Sequence, residues 1–224
     1  MDPLTSLAAA SIALVGTHFA LSHPLRAPLV ALMGEGAFRG VYSLVAAGCM
    51  AWMYLAFKQA PSADLGGSGT VGWIVATILT LPALVLFLGS LKGNPALPAP
   101  GARKAAARNP AGVFAVTRHP MMWGFALWAI SHIVLWWSWR TVIVALAILI
   151  LALIGARLQD HKKEALMGAD WAGWEQRTSY WPRWTRLAGV SPLLWLVGIA
   201  GWLGVTWVHI GAGGIPAGIW RWIG

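Results

Sequence analysis

The chain alternates between long apolar runs and short polar segments. Six runs stand out, at roughly residues 4–22, 40–57, 71–91, 121–137, 141–158 and 191–210. Each is close to the ~20 residues that a helix needs to cross a bilayer, with the usual uncertainty of a few residues at each boundary. The pattern predicts an all-α, polytopic membrane helix bundle of six spans, forming a single domain over residues 1–224. No internal repeat and no low-complexity segment interrupts it.

The polar segments are just as regular. Pro24 and Pro28 follow the first run and oppose a simple helical continuation. Gly34–Gly40 then reads as a loop that delivers Arg39 and Tyr42 to the start of the second span. Residues 60–70, rich in Gly and Ser, form a plain connector. Pro82 inside the third run predicts a kink. Residues 92–108 hold three closely spaced prolines and a cluster of Lys and Arg, as in an exposed basic loop. Thr117 can cap the fourth span, and Pro120 suits its first turn. Residues 159–168 and 171–184 are amphipathic, aromatic and basic, and are expected to lie along the membrane face.

Composition supports lipid as the solvent. The 224 residues are 58% hydrophobic and only 10% charged, against about 25% charged in a soluble domain. Mean hydropathy is +0.66. A net charge of +9 could suggest nucleic acid, but its distribution points to topology. Of the 16 Lys and Arg, all but Lys58, Arg140 and Arg221 fall in the loops on one side of the six spans. The positive-inside rule then puts those loops in the cytoplasm and both termini in the periplasm, across a bacterial inner membrane. Attraction to anionic lipid follows as a by-product. Trp136, Trp137, Trp139, Trp181, Trp184, Trp220 and Trp222 fall at span ends as an interfacial belt. Cys49, the single cysteine, rules out an intrachain disulfide and a cysteine-based metal site, and reads as a small buried hydrophobe. Met1-Asp2-Pro3 lacks the basic start of a signal peptide, so the first span is expected to be retained.

Candidate chemistry centres on histidine. His119 and His132 are thirteen residues apart, about 220° around a helix and so on nearly opposite faces. His18 lies inside the first span with Ser11, Leu14, Val15 and Ser22 on its face. Ionisable groups within spans are costly and usually functional. His18 and His132 therefore raise a bis-histidine metal or haem site between helices. A histidine hydrogen-bonded to a neighbouring helix is the plain alternative. The lack of cysteine pairs and the scarcity of carboxylates in the spans argue against zinc or di-iron. His18 lies about 6 Å from the basic end of its span and His132 about 18 Å from the same side. A shared haem thus needs a strongly tilted ligand axis or a longer first span, with His18 and His119 as the other pair. His23 reads as a solvated or capping histidine at the interface. Arg118 and His119 fall near the open amides of a helix N-terminus, a ready anion site. Arg39 is placed either to bind an anion or to snorkel.

Several of these motifs occur in the order found in a known family. His18, Ser22-His23-Pro24-Leu25-Arg26, Gly34-Glu35, Phe38 to Leu44, Arg118-His119-Pro120, Ser131-His132 and Arg177-Thr178-Ser179 resemble the NnrU family of bacterial membrane proteins, over about residues 5–187. The last span and interfacial tail, 188–224, lie outside the resemblance. The same order is similar to 15-cis-zeta-carotene isomerase, Z-ISO, whose counterparts fall on His18, Thr117 to Pro120, His132, Asp160, Arg177 to Ser179 and Pro182. The resemblance implies haem b held by His18 and His132, with Arg39, Arg118 or Arg177 on its propionates. It also implies a redox-linked role in denitrification and nitric oxide metabolism, and cis–trans isomerase chemistry of the Z-ISO kind. The ligand is then nitric oxide or an apolar polyene, although nothing in the residues reads out a polyene. The redox partner is not legible.

A second resemblance points elsewhere. Arg118-His119-Pro120 with Gly124, then Glu164 to Gly168 and Trp174 to Pro182, is similar to isoprenylcysteine and phospholipid methyltransferases. There such residues cradle S-adenosylmethionine. Here the acidic pair is reduced to Glu164 behind Lys162-Lys163, and neither His18 nor His132 has a role. A third alternative is a non-catalytic haem sensor or assembly factor for nitrogen-oxide reductases.

Overall fold

The computed structural model describes residues 1–98 and 100–223, and among them it is all-helical. Helix α1, Pro3–Ser22, starts where the Asp2 carboxylate accepts from the Thr5 amide at 3.0 Å, which satisfies one of the open donors of the first turn. Helix α2, Arg26–Gln59, begins well before the expected span. Pro28 falls in its first turn, where a missing N–H costs nothing. The expected loop at 34–40 is instead helix on both sides of a single break at Gly34, with φ 80° and ψ 159°. Only glycine takes that backbone without penalty. Helix α3, Gly69–Gly89, contains Pro82.

Short helices α4, Ala102–Ala106, and α5, Val113–Val116, follow on the basic side. Helix α6, Pro120–Leu135, has 16 residues, about 24 Å of rise. Helix α7, Trp139–Met167, runs well past its expected end near residue 158. The polar segment expected to lie on the membrane face is, up to Met167, a continuation of this span. Helix α8, Ala169–Arg177, and a 3-10 turn, Trp184–Gly189, lead into α9, Pro192–Gly213, and the terminal turn α10, Trp220–Ile223. Helices α1, α2, α3, α7 and α9 are long and apolar enough to cross a membrane, and α6 is apolar but shorter. All six expected spans are therefore present as helices, in a polytopic membrane bundle.

Neighbouring helices form a row in which α2 packs on α1, α1 on α7, α7 on α6, α6 on α3, and α3 on α9. Close approach comes from glycine. A Cβ on Gly124 would meet the Ala83 carbonyl oxygen at 2.7 Å, and one on Gly198 would meet Val85 at 2.6 Å. In a bilayer, where apolar area alone does not drive association, such small-residue seams let packing do so. Leu44, Ile78 and Leu193 remain largely exposed, as lipid-facing side chains do.

The polar ends sort by side. Trp52 donates to Ser6, Arg140 to the carbonyls of Phe57 and Ala60, Ser68 to Leu135, and Trp222 to Thr77. The chain start, the far ends of α2 and α6, and the C-terminal turn are thereby gathered at one end. The basic loops form the other.

Candidate functional site

On the basic face one buried cluster ties four segments together. Thr117, Arg118 and His119 precede α6, Asp160 sits on the extension of α7, Glu175 on α8, and Ser179 and Tyr180 follow it. Arg118 donates to both Asp160 oxygens, from Nε at 3.0 and 3.1 Å and from Nη2 at 2.7 Å. Its Nη2 also lies 3.0 Å from Glu175 Oε1. His119 Nε2 is 2.7 Å from Asp160 Oδ1. Asp160 is 1% exposed and His119 1%, so the ion pairs lie in a low-dielectric site, where each partner depends on the other for compensation.

The surrounding backbone is pinned to match. Thr117 Oγ1 donates toward the Ser179 and Tyr180 carbonyls at 3.1 and 2.8 Å, and the Arg118 amide donates to Ser179 at 2.8 Å. Trp123 Nε1 donates to Tyr180, and the Tyr180 hydroxyl to Leu153. Thr117 is therefore not the helix cap expected from its position. His119 occupies the N-cap of α6, and the Thr117 hydroxyl crosses to the 179–180 segment.

A carboxylate only accepts, so His119 donates from Nε2, and in the neutral ring Nδ1 is the acceptor. That Nδ1 is buried without a partner, and so is Nε1 of Trp171, whose ring lies 6.4 Å away. An unused acceptor and an unused donor thus sit on neighbouring rings. Glu175 has its pKa raised by burial and by a hydrogen bond with Glu164, while the Arg118 charge opposes the shift.

The other basic candidates have separate settings. Arg177 donates to the carbonyls of Gly173, Arg108 and Ala106 at 2.9, 2.8 and 2.7 Å, and so fastens α4 to α8. Arg39 pairs with Glu35 at 3.1 Å, and Glu35 also takes a fork from Arg26 at 2.8 and 2.9 Å. Arg39 also lines a cavity of about 420 Å³ with Pro98, Pro100, Ala102, Arg103, Lys163 and Met167.

His18 and His132 share no hydrogen bond with this cluster, and their helices, α1 and α6, do not pack broadly on each other. His18 Nε2 is 2.7 Å from the Tyr42 hydroxyl, which lies 3.2 Å from Ser22 Oγ. His18 is near the basic end of α1, and α1 packs on α2 and α7. His132 is near the opposite end of α6, which packs on α3 and α7. Its Nδ1 lies 2.8 Å from the Trp128 carbonyl and 3.1 Å from Ser131 Oγ. A carbonyl only accepts, so Nδ1 carries the proton and Nε2 the lone pair. The Trp128 ring stacks beside it, at 4.2 Å between centroids.

Of the candidates named from sequence, the structure brings Arg118 and His119 together and leaves Arg39, Arg177, His18 and His132 apart. Glu175 and Tyr180 were not foreseen as site residues, and Asp160 entered only through the isomerase resemblance. A signal for Asp160 existed: it is a carboxylate at the end of a long apolar helix, where burial requires a cation.

The family model described as NnrU protein matches residues 6–217, nearly the whole chain. No curated protein and no solved structure matches it.

Proposed function

We propose that this chain, which belongs to the NnrU family, is a haem b-binding protein of the bacterial inner membrane with a redox-linked role in denitrification and nitric oxide metabolism. His132 is the observation that carries the proposal. Its Nδ1–H is held by the Trp128 carbonyl, which fixes the tautomer and ring orientation and leaves Nε2 as a lone-pair donor in an apolar setting. Histidine ligands of metals are oriented in this way by a carbonyl on the other nitrogen.

The fit at the second expected ligand is poorer. His18 Nε2 already faces the Tyr42 hydroxyl, and α1 packs on α2 and α7 and not broadly on α6. The iron is therefore assigned to His132, and His18 would have to leave Tyr42 to join it. Arg118 and Arg177 are committed to Asp160 and to backbone carbonyls, and Arg39 stands with Arg103 and Lys163 on the basic face, away from the end of α6 that carries His132, so a propionate of this haem would take none of the three. When bound, haem supplies one-electron chemistry and a coordination position for a small ligand such as nitric oxide. The Trp128 ring lies 4.2 Å from the His132 ring between centroids, and Ser131 Oγ stands 3.1 Å from the same Nδ1 that the Trp128 carbonyl holds. Cis–trans isomerase chemistry of the Z-ISO kind is the enzymatic form of the same proposal. A methyltransferase would need Arg118 and His119 open to S-adenosylmethionine, and both are closed on Asp160.

The test is a reduced-minus-oxidised visible spectrum of protein made with ample haem precursor and purified in detergent. The expected result is a haem b band in the wild type, lost at least tenfold in His132→Ala with helical content unchanged. Folded wild-type protein carrying no haem would sink the proposal.

A further inference from the structure

We infer that the basic cavity between α2, α7 and the 98–103 segment binds the phosphate headgroup of an anionic phospholipid. The cavity, about 420 Å³, has Ala102, Lys163 and Met167 as its buried lining, with Pro98, Pro100, Arg39 and Arg103 as its exposed rim. It is independent of the haem proposal, since none of its lining residues contacts His132.

Lys163 is the informative member. It is 7% exposed, and its ammonium donates to one acceptor, the Leu97 carbonyl, at 3.1 Å. Among the described residues it forms no ion pair. An ammonium has three donors, so two are unused, and its buried charge lacks a counter-charge. Arg39 spends only Nε on Glu35, which leaves the rest of its guanidinium unengaged. Arg103 is neutralised by Asp170 at 2.6 Å. Among the cavity's lining residues Arg39, Arg103 and Lys163 are cationic and none is acidic, and of these three Glu35 and Asp170 engage only Arg39 and Arg103. A bound anion is the missing compensation.

Depth selects a lipid over a soluble anion. Arg39 immediately precedes the apolar stretch of α2, and on its own helical face Ala46 is part-exposed and Met50 is 55% exposed. A headgroup in the cavity would have its acyl chains against these side chains. The rim thus stands at the level where phospholipid phosphates lie, with cations above and an apolar surface below.

Delipidated protein in neutral detergent would be titrated with short-chain phosphatidylglycerol, with phosphatidylcholine and with inorganic phosphate, and bound species counted by native mass spectrometry. Phosphatidylglycerol is expected to bind at least tenfold tighter than phosphatidylcholine. Lys163→Gln should abolish most of that preference while keeping an acceptable partner for Leu97. Arg39→Gln, at an exposed side chain, serves as the second variant should Lys163→Gln fail to fold. Lys92→Gln with Lys104→Gln, which line a separate basic hollow, should leave the preference intact. Equal binding of the two lipids, or equal loss in the Lys92/Lys104 variant, would overturn the inference. Displacement of lipid by inorganic phosphate at similar concentration would assign the cavity to a soluble phosphate and overturn it as well.

Discussion

Two histidines thirteen residues apart on one segment have opposite fates. His119, on the basic face, is fully enclosed and bound to Asp160, which Arg118 also grips. His132, toward the other end of α6, makes its hydrogen bonds within its own helix turn, to Trp128 and Ser131. The first region spends its charged groups on one another across four segments, and its unpartnered His119 Nδ1 is sealed inside the cluster. The second keeps a nitrogen in reserve. Burial and ionic density mark the place where the fold is fastened, whereas a lone, oriented side chain in apolar surroundings marks the place where a cofactor can attach.

The most severe test of that division is Asp160. Asp160→Ala removes the acceptor of His119 Nε2 and leaves the buried Arg118 with Glu175 as its remaining carboxylate, and breaking a buried pair in this way costs about 3–5 kcal/mol. Unfolding in mixed micelles of neutral detergent and dodecyl sulfate should shift by that amount. Haem content normalised to folded protein should be unchanged. A variant that is as stable as the wild type would show that the cluster is not the fastener. Haem loss in folded protein would show that the two regions are not separate.

His132→Ala is the mirror experiment. It removes one intrahelical hydrogen bond and opens no charge, so the expected stability loss is only about 1 kcal/mol, beside the large loss of haem. A loss as large as that of the Asp160 variant would make His132 a structural residue like His119.

The fold was more legible than the site, for a physical reason. Lipid demands continuous apolar length, so the six runs declared themselves directly. What they could not declare was where helix continues into water. The Pro24, Pro28 and Gly34 cluster reads as loop, yet one proline is harmless in a first turn and one glycine makes a kink. The stretch after residue 158 reads as surface, yet α7 carries it on as helix because Asp160 and Lys163 find partners there. In the site, Arg118-His119-Pro120 was visible as a motif, but its partner is some forty residues away on another helix. Its use as an anion site at open amides is a local expectation, and the long-range Asp160 contact takes the guanidinium instead.

Thr117→Val asks how far the fastening depends on neutral bonds. It removes the hydroxyl that reaches the Ser179 and Tyr180 carbonyls and keeps the shape, so a loss of about 0.5–1.5 kcal/mol is expected. The same micelle titration reads it. No loss would place the whole fastening on the charged members.

The smallest effect separates the regions by pH. Glu175 is held above the usual carboxylate range by burial and by its bond with Glu164. A raised carboxyl binds more protons folded than unfolded in the window between its ordinary pKa and its raised one, so stability falls as pH rises through that window. Below the window both states are protonated, and above it both are ionised, so the slope is confined to it. Glu175→Gln removes the titrating group and should flatten the slope there, at the expense of the contact with Arg118. His132→Ala should leave the slope untouched, because Glu175 and its partners all lie on the basic face. A slope that survives Glu175→Gln would move the titration to another group. A slope that vanishes in His132→Ala would join the two histidines in one coupled system, against the division drawn from their contacts.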